Sequence, residues 1–468
     1  MTRPRLRDLA PPLLALSLLA APLAAQEPPP PTGEEPPPAE GAAPEEPSPE
    51  PEAPRFRLGG EIKVHFRDSQ AQESLDQFPF PPSFRPGNNP DIPIFLRTVS
   101  AHPSFEISTA TLRGEGEISS HVSAKVEVHF LDLYNRNPTS SDDRIFVREA
   151  WVAFGRRDLP LQPIGGSATL YVQAGMAPRF TKQQQRRLES YGLWGTAVGR
   201  FEQPQVQAGG TFARHVYWRA MAGNGNPLFL RDPNALAGDN GTPERQPGNV
   251  NPIYESGFPI MYDAKPQDLN PSGRFEWGAG LGVRAAGESR GFDLLGWYFT
   301  RKLEPVVRIR GTSYSGDIKM LRGVFFPLPF SGDEKREAGV NLEGRLAGGR
   351  LFAQYVDQDI AELPRRGYEV ELAWRFALPG LFLVGESPVV NWIQPVVRVS
   401  HIDNRFTTPR QFPAPSFGWD WTKYDFGLRV GLVREVDLTA EYARHDAVRA
   451  NGTKIHPDEL LITLRAGF

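Results

Sequence analysis

From Arg55 onward, apolar side chains recur at every second position. In HVSAKVEVHF, Val122, Ala124, Val126, Val128 and Phe130 fall on one side. Ser123, Lys125, Glu127 and His129 fall on the other. RFEWGAGLGVRA sets Phe275, Trp277, Ala279, Leu281 and Val283 against Glu276, Gly278, Gly280, Gly282 and Arg284. YEVELAWRF and KYDFGLRVGL repeat the pattern around Val370 and Phe426. A period of two is the signature of strands with one apolar and one polar face.

Such strands suit two architectures. In a soluble sandwich the apolar face is the core. In a transmembrane barrel it meets lipid while the polar face lines water. Length favours the barrel, because the runs approach the roughly 9–11 residues that cross a bilayer at a tilt. Soluble strands average about 5–6 residues. Aromatic residues near strand ends (Phe130, Tyr134, Trp151, Phe154, Tyr171, Tyr298, Tyr355, Trp374, Phe376) are consistent with interfacial girdles.

The first 54 residues differ in kind. MTRPRLRDLAPPLLALSLLAAPLAAQ has a basic head (Arg3, Arg5, Arg7), an apolar run from Leu13 to Leu23, then Ala24 and Ala25. This is the layout of a secretory signal peptide, expected to span 1–25. Residues 26–54 hold eight glutamates, many prolines and no basic residue. They read as a disordered, extended Pro/Glu-rich tether. The whole chain carries a formal net charge of -3, but residues 55–468 hold 49 basic and 46 acidic side chains, a net of +3. Neither balance argues for a nucleic-acid partner. Cysteine is absent, which excludes disulfides and thiolate metal sites.

Sixteen strands are expected, near 56–66, 105–118, 121–133, 145–156, 167–175, 206–213, 215–222, 273–287, 290–300, 334–346, 349–359, 367–377, 390–403, 420–432, 435–445 and 457–468. Tight turns such as GESR and AGG alternate with longer links, 360–366 among them. With both termini periplasmic, every tight turn would face the periplasm. The stretch 304–327 also has strand character, as a loop hairpin or as two extra strands making eighteen. The final segment ELLITLRAGF is an apolar ladder ending in Phe468. It resembles the C-terminal signal of bacterial outer-membrane barrels, and implies recognition by the barrel-assembly machinery and pairing with the first strand. The expected fold is therefore an all-β, transmembrane antiparallel β-barrel over 55–468, located in the bacterial outer membrane among lipid and lipopolysaccharide.

Several stretches resemble the phosphate-selective porin O and P family: ATLRGEGEISSHVSAKVEVHF, FVREAWVAF, YVQAGMAPRFT and NWIQPVVRVSHIDN. The resemblance implies a sixteen-stranded barrel, usually a homotrimer, whose third external loop folds inward and narrows the pore. In this chain that loop is 176–205. It carries Arg179, Lys182, Arg186 and Arg187 with Glu189. Folded inward, those cations would form a positive constriction, and arginine suits oxyanions because its planar fork holds two oxygens. Strand parity adds Lys125, Arg284, Arg345, Arg375, Arg398, Arg429 and Arg465 as lumen-lining cations, interleaved with Glu127, Glu276, Glu343, Glu369, Glu371 and Asp425.

The expected function is passive diffusion of small hydrophilic solutes, leaning to anions such as phosphate. No enzymatic site, cofactor or metal centre is expected, since the eight histidines show no metal-ligand spacing. The alternatives are a structural envelope barrel anchoring the acidic tether, and an adhesin or enzyme acting through the long 223–272 loop.

Overall fold

The computed structural model describes residues 55–69, 76–78, 94–97, 103–132, 145–155, 157, 159–162, 168–183, 185–190, 192–194, 202–225, 253–255, 274–303, 331–384, 387–407, 418–433, 435–456 and 458–468. The signal peptide, the tether and the 304–327 stretch lie outside them.

Twenty-one strands form among the described residues. They are β1 (Arg55–Ser69), β2 (Asp76–Phe78), β3 (Ile94–Arg97), β4 (Ser104–Ser119), β5 (Val122–Asp132), β6 (Phe146–Gly155) and β7 (Thr169–Pro178). Next come β8 (Glu202–Thr211), β9 (Val216–Gly223), β10 (Ile253–Glu255), β11 (Glu276–Ala286), β12 (Arg290–Lys302), β13 (Glu334–Leu346) and β14 (Gly349–Ile360). The last are β15 (Leu363–Trp374), β16 (Phe376–Val384), β17 (Ser387–Asn404), β18 (Asp420–Gly431), β19 (Val436–Val448), β20 (Lys454–Ile455) and β21 (Glu459–Gly467). Sixteen of them, β1, β4–β9, β11–β15, β17–β19 and β21, pair antiparallel with their neighbours around one closed wall. The seam is β1 against β21, in the register Ile62↔Ala466 and Val64↔Leu464. At the end of the seam Gly60 and Phe468 exchange backbone hydrogen bonds of 3.2 and 3.1 Å. Closure satisfies every strand edge, which a bilayer demands. The short strands β2, β3 and β10 form a separate three-stranded sheet, which the sequence reading placed within loops.

The wall is inside-out relative to a soluble protein. Along β5, Val126 and Phe130 are 47% and 46% exposed, while Glu127 and His129 between them are 7% and 2% exposed. The same reversal holds at Leu281 and Val283 against Arg284, and at Val370 and Leu372 against Glu369 and Glu371. Large contiguous apolar surface facing outward is unfavourable in water and favourable in hydrocarbon. The chain is therefore a membrane-spanning β-barrel of the outer-membrane type. Exposed aromatics cluster at both rims. Phe56, Phe154, Phe212, Trp374 and Phe376 lie at the end carrying the termini, and Phe105, Phe275, Trp277 and Tyr298 at the opposite end. Trp151 and Tyr171, expected in the girdles, instead face inward at 8% and 2% exposure.

Two further expectations are corrected. The link expected at 360–366 is only Ala361–Glu362, because Ile360↔Leu363 pairing runs to the strand ends. Both residues take left-handed conformations, with φ of 52° and 67°. Such a turn suits a two-residue hairpin, and it lies at the end opposite the termini, so tight turns are not confined to one end. Conversely, β6 and β7 are joined at the termini end by a long link whose described residues include Arg157 and 159–162. Parity is also broken locally. In β6, Val147 pairs Val128 and Glu149 pairs Glu127, which leaves Arg148 as a bulge residue. An extra residue at a bulge lets two successive side chains avoid the outer face. Arg148 accordingly reaches Glu202 at 3.0 Å.

Candidate functional site: the lumen and its inward loop

The link between β7 and β8 enters the lumen. Its root is fixed where Gln205 and Gln207 donate side-chain N–H groups to the carbonyl of Pro178, at 3.0 and 2.6 Å. The next residue, Arg179, is 3% exposed. Its Nε donates to Glu276 at 2.8 Å and its Nη1 to Glu337 at 3.2 Å, while its guanidinium lies 4.5 Å over the Phe299 ring. Lys335 shares both carboxylates, at 3.2 and 3.1 Å. Burial opposes the charge of Arg179, but Glu276 and Glu337 together hold its pKa above the ordinary value.

The remaining loop cations are also paired. Lys182 meets Glu202 at 2.9 Å and Glu149 at 3.5 Å. Arg186 meets Glu189 at 3.7 Å, and Glu189 receives Lys63 of β1 at 3.0 Å. Arg187 donates to Glu371 at 3.0 Å. Burial alone would raise the pKa of Glu189; Lys63 and then Arg186 hold it well below the usual carboxylate range. Arg179, Lys182, Arg186 and Arg187 thus stand against carboxylates, three of them against acids of the barrel wall. Their positive charge is largely compensated.

Beyond Arg187 the loop crosses to the far wall. The backbone N–H groups of Glu189 and Ser190 donate to Glu441 at 2.8 and 3.2 Å. Arg398 donates to the Ser190 carbonyl at 3.0 Å and to Asp425 at 2.8 Å. Leu193 N–H reaches the Ser400 hydroxyl at 3.1 Å. Trp194 then enters an apolar cluster with Ile402, Trp419 and Trp421. Two inward-facing glycines make room for this docking. A Cβ on Gly427 would stand 2.3 Å from Leu188, and one on Gly367 would stand 2.7 Å from the Trp194 ring. Every backbone donor named here finds an acceptor, as a buried segment requires.

The other expected lumen residues have distinct places. Lys125 bridges Glu127 and Glu149 at 3.0 and 2.9 Å. Arg284 donates through Nε to Asp293. Arg345 reaches the Leu161 carbonyl at 3.4 Å near the termini end. Arg429 and Arg465 converge on Asp437, at 3.1 and 2.8 Å. Arg375 falls between β15 and β16, is exposed, and lies 4.1 Å over the Trp392 ring at the termini-end rim. Arg429 lies 5.9 Å from the same ring, so Arg375 stands on the inward side that parity gives it.

Between the loop and the termini-end link lies a cavity of about 160 Å³. Pro178, Phe180 and Gln183 line it from the loop, and Leu159 and Pro160 from the link. Wall cations Arg219 and Arg284 reach it, with Tyr171 and Tyr217 between them; Arg219 lies 5.2 and 4.7 Å over those two rings. Arg157 of the link donates to Gln173 at 3.1 Å and lies 4.5 Å over Trp151. Burial lowers its pKa from the ordinary arginine value, with Tyr171 and Glu149 opposing. The sequence reading missed Arg157, because it lies in a link, and Arg219, because the inward set Tyr217-Arg219-Met221 of β9 mixes a charge with apolar residues. Parity along VYWRAMAG carries the signal for Arg219. Among the described residues no group of three or more His, Cys, Asp or Glu side chains is placed to hold a metal ion.

A scan against protein-family models and a search of curated proteins each found no match. The resemblance to the phosphate-selective porin family is thus not accompanied by a family-model match. Among solved structures, the chain is similar to the outer membrane channel DcaP of Acinetobacter baumannii, at 10% identity, covering 89% of this chain and 98% of that one, with a TM-score of 0.48. It is similar to Pseudomonas putida OprB at 9% identity, covering 89% and 94%, with a TM-score of 0.49. It is similar to the anion-selective porin of Comamonas acidovorans at 8% identity, covering 89% and 100%, with a TM-score of 0.39. All three TM-scores lie under 0.5, and the wall described above stands on this chain's own pairing and burial.

Proposed function

We propose that the barrel is a passive outer-membrane channel for small hydrophilic solutes, a porin and not an enzyme, in which the 176–205 loop sets the width of the path. The observation that carries this reading is the docking of residues 179–183, 185–190 and 192–194 inside a closed wall whose inner face is charged. A path lined by fixed charges and narrowed by a loop selects by size and field. The lean toward anions, phosphate among them, rests on the net charge of +3 over 55–468 and on the guanidinium groups of Arg157, Arg219 and Arg284 around the cavity. Arg179, Lys182, Arg186 and Arg187 serve in this reading chiefly to hold the constriction in place, since their charges are paired. Assembly as a homotrimer, insertion through the barrel-assembly machinery by way of the Phe468 strand, and contact with lipopolysaccharide belong to the same proposal.

The test is reversal potential in planar bilayers across a potassium chloride gradient. Open channels with a potential of the anion-selective sign are expected. A cation-selective sign would overturn the lean, and silent bilayers containing folded barrel would overturn the channel. A second reading, a structural barrel anchoring the 26–54 tether in the envelope, is favoured by one feature: loop and wall contacts occupy much of the described lumen, including the Trp194 cluster. It predicts the silent outcome.

A further inference from the structure

One strand pair runs past its neighbours at the termini end. The β14 pairing ends where Gly349 faces Trp374, and the β18 pairing ends where Gly431 faces Trp392. β16 and the start of β17 continue beyond both, in the register Leu381↔Val390, Leu383↔Pro388 and Val384↔Ser387. Over that stretch each strand has only the other as its pairing partner among the described residues. The pairing steps from Ala377↔Trp392 to Leu381↔Val390, so Leu378, Pro379 and Gly380 stand opposite Asn391 alone. A bulge of this kind bends a ribbon and increases its twist.

The ribbon is apolar on both sides. From Phe376 to Asn391 the only charged residue is Glu386. Successive strand positions alternate between faces, and Leu381, Phe382, Leu383 and Val384 are apolar without interruption. The barrel wall has one greasy and one wet side; this extension has no wet side. A lone two-stranded ribbon is marginal in water, and contiguous exposed apolar surface marks a face that something covers.

The covering is lipid. Exposed Val370, Leu372, Trp374 and Phe376 descend β15 to the root of the ribbon, so the lipid-facing surface of the wall is continuous with it. The Trp374 and Phe376 rings lie 6.4 Å apart at that root, where interfacial aromatics belong. Pro379 and Pro388 each remove a backbone donor, which disfavours edge-to-edge pairing with a second copy. The remaining free edges exclude the hydrocarbon centre, where unmet backbone groups are costly.

We propose that the β16–β17 ribbon is a membrane-surface anchor. Bent at Leu378–Gly380, it is sunk into the boundary between headgroups and acyl chains of the leaflet at the termini end. Both faces meet phospholipid, and the edges meet headgroups and water. An element at that boundary buries apolar surface while its polar groups stay wet. The proposal concerns the outer side of the barrel and stands whether or not the lumen conducts.

The chain has no cysteine, so Phe382→Cys and Leu383→Cys each give a single labelling site on the full chain, one on either face. A nitrobenzoxadiazole label at each is read in vesicles of phosphatidylethanolamine and phosphatidylglycerol. Retention of the compact, heat-sensitive gel band confirms that each labelled barrel is folded. Lipids carrying a nitroxide near the headgroup are expected to quench both labels about twofold or more over lipids carrying it at the chain end. Aqueous iodide is expected to quench both only weakly. Free access of iodide to either label would place the ribbon in water. Shielding from iodide and from both nitroxide lipids would place it against protein, and stronger quenching by the deep nitroxide would place it in hydrocarbon. Each of these three results would overturn the anchor.

Discussion

Glu441 of β19 accepts the backbone N–H of Glu189 at 2.8 Å, so a wall carboxylate caps the loop that crosses the lumen. The same carboxylate takes Ser190 N–H at 3.2 Å and its hydroxyl. One side chain thus satisfies three donors of a segment that forms no strand.

Replacing that acceptor strands the donors. Glu441→Ala is expected to destabilise the docked loop by about 1–3 kcal/mol for each donor left without a partner. Trypsin added to the folded barrel reports the change. Arg186 and Arg187 are expected to be cut faster in the variant than in the parent, and unchanged cleavage would show that Glu441 does not hold the loop.

Arg179 anchors the other end. Its removal leaves Glu276 and Glu337 buried with only Lys335 between them. Breaking a buried pair costs about 3–5 kcal/mol because a charge is left uncompensated. Arg179→Gln is expected to lower the denaturant midpoint of the detergent-solubilised barrel, whereas Arg444→Gln, on an exposed side chain, is expected to leave it in place.

Gly367 is the seat of Trp194. A Cβ there would lie 2.6 Å from the His401 carbonyl and 2.7 Å from the indole. The carbonyl belongs to a paired strand and cannot yield cheaply, so moving the ring relieves only part of the overlap. Gly367→Ala is expected to cost about 1–3 kcal/mol by overpacking. In a double-mutant cycle with Trp194→Ala the two losses are expected to be less than additive; simple addition in denaturant unfolding would show that the two residues do not share a contact.

Glu189 makes the loop acid-sensitive. Its folded pKa is lowered against burial by Lys63 and Arg186. A lowered carboxyl contributes stability above its unfolded value, about 4.3, and loses it as pH falls through the folded value. Loop docking is therefore expected to be constant from pH 7 to 5 and to weaken in stronger acid. Single-channel current noise, rising only below about pH 4 in the parent and less steeply in Glu189→Gln, is the check. Noise that rises between pH 7 and 5 would assign the effect to another group.

Strand number and wall orientation were legible because both are local. Alternation in HVSAKVEVHF and RFEWGAGLGVRA places each residue from its immediate neighbours, and in a closed wall the apolar side must face lipid. The sixteen strands fall where the alternation puts them. Parity failed where the backbone departs from regular pairing, at the Arg148 bulge. Trp151 and Tyr171 sit in regularly paired strands and follow parity inward; it was their aromatic character that suggested the outer face.

From the sequence alone came a ribbon with one greasy and one wet side, and a loop rich in cations. The tertiary structure decided what those cations meet. Glu276, Glu337, Glu371 and Glu441 lie 97, 158, 184 and 251 or more residues from their loop partners, so no spacing along the chain announces them. Charge pairing acts through space, and only closure of the wall brings those carboxylates to the loop.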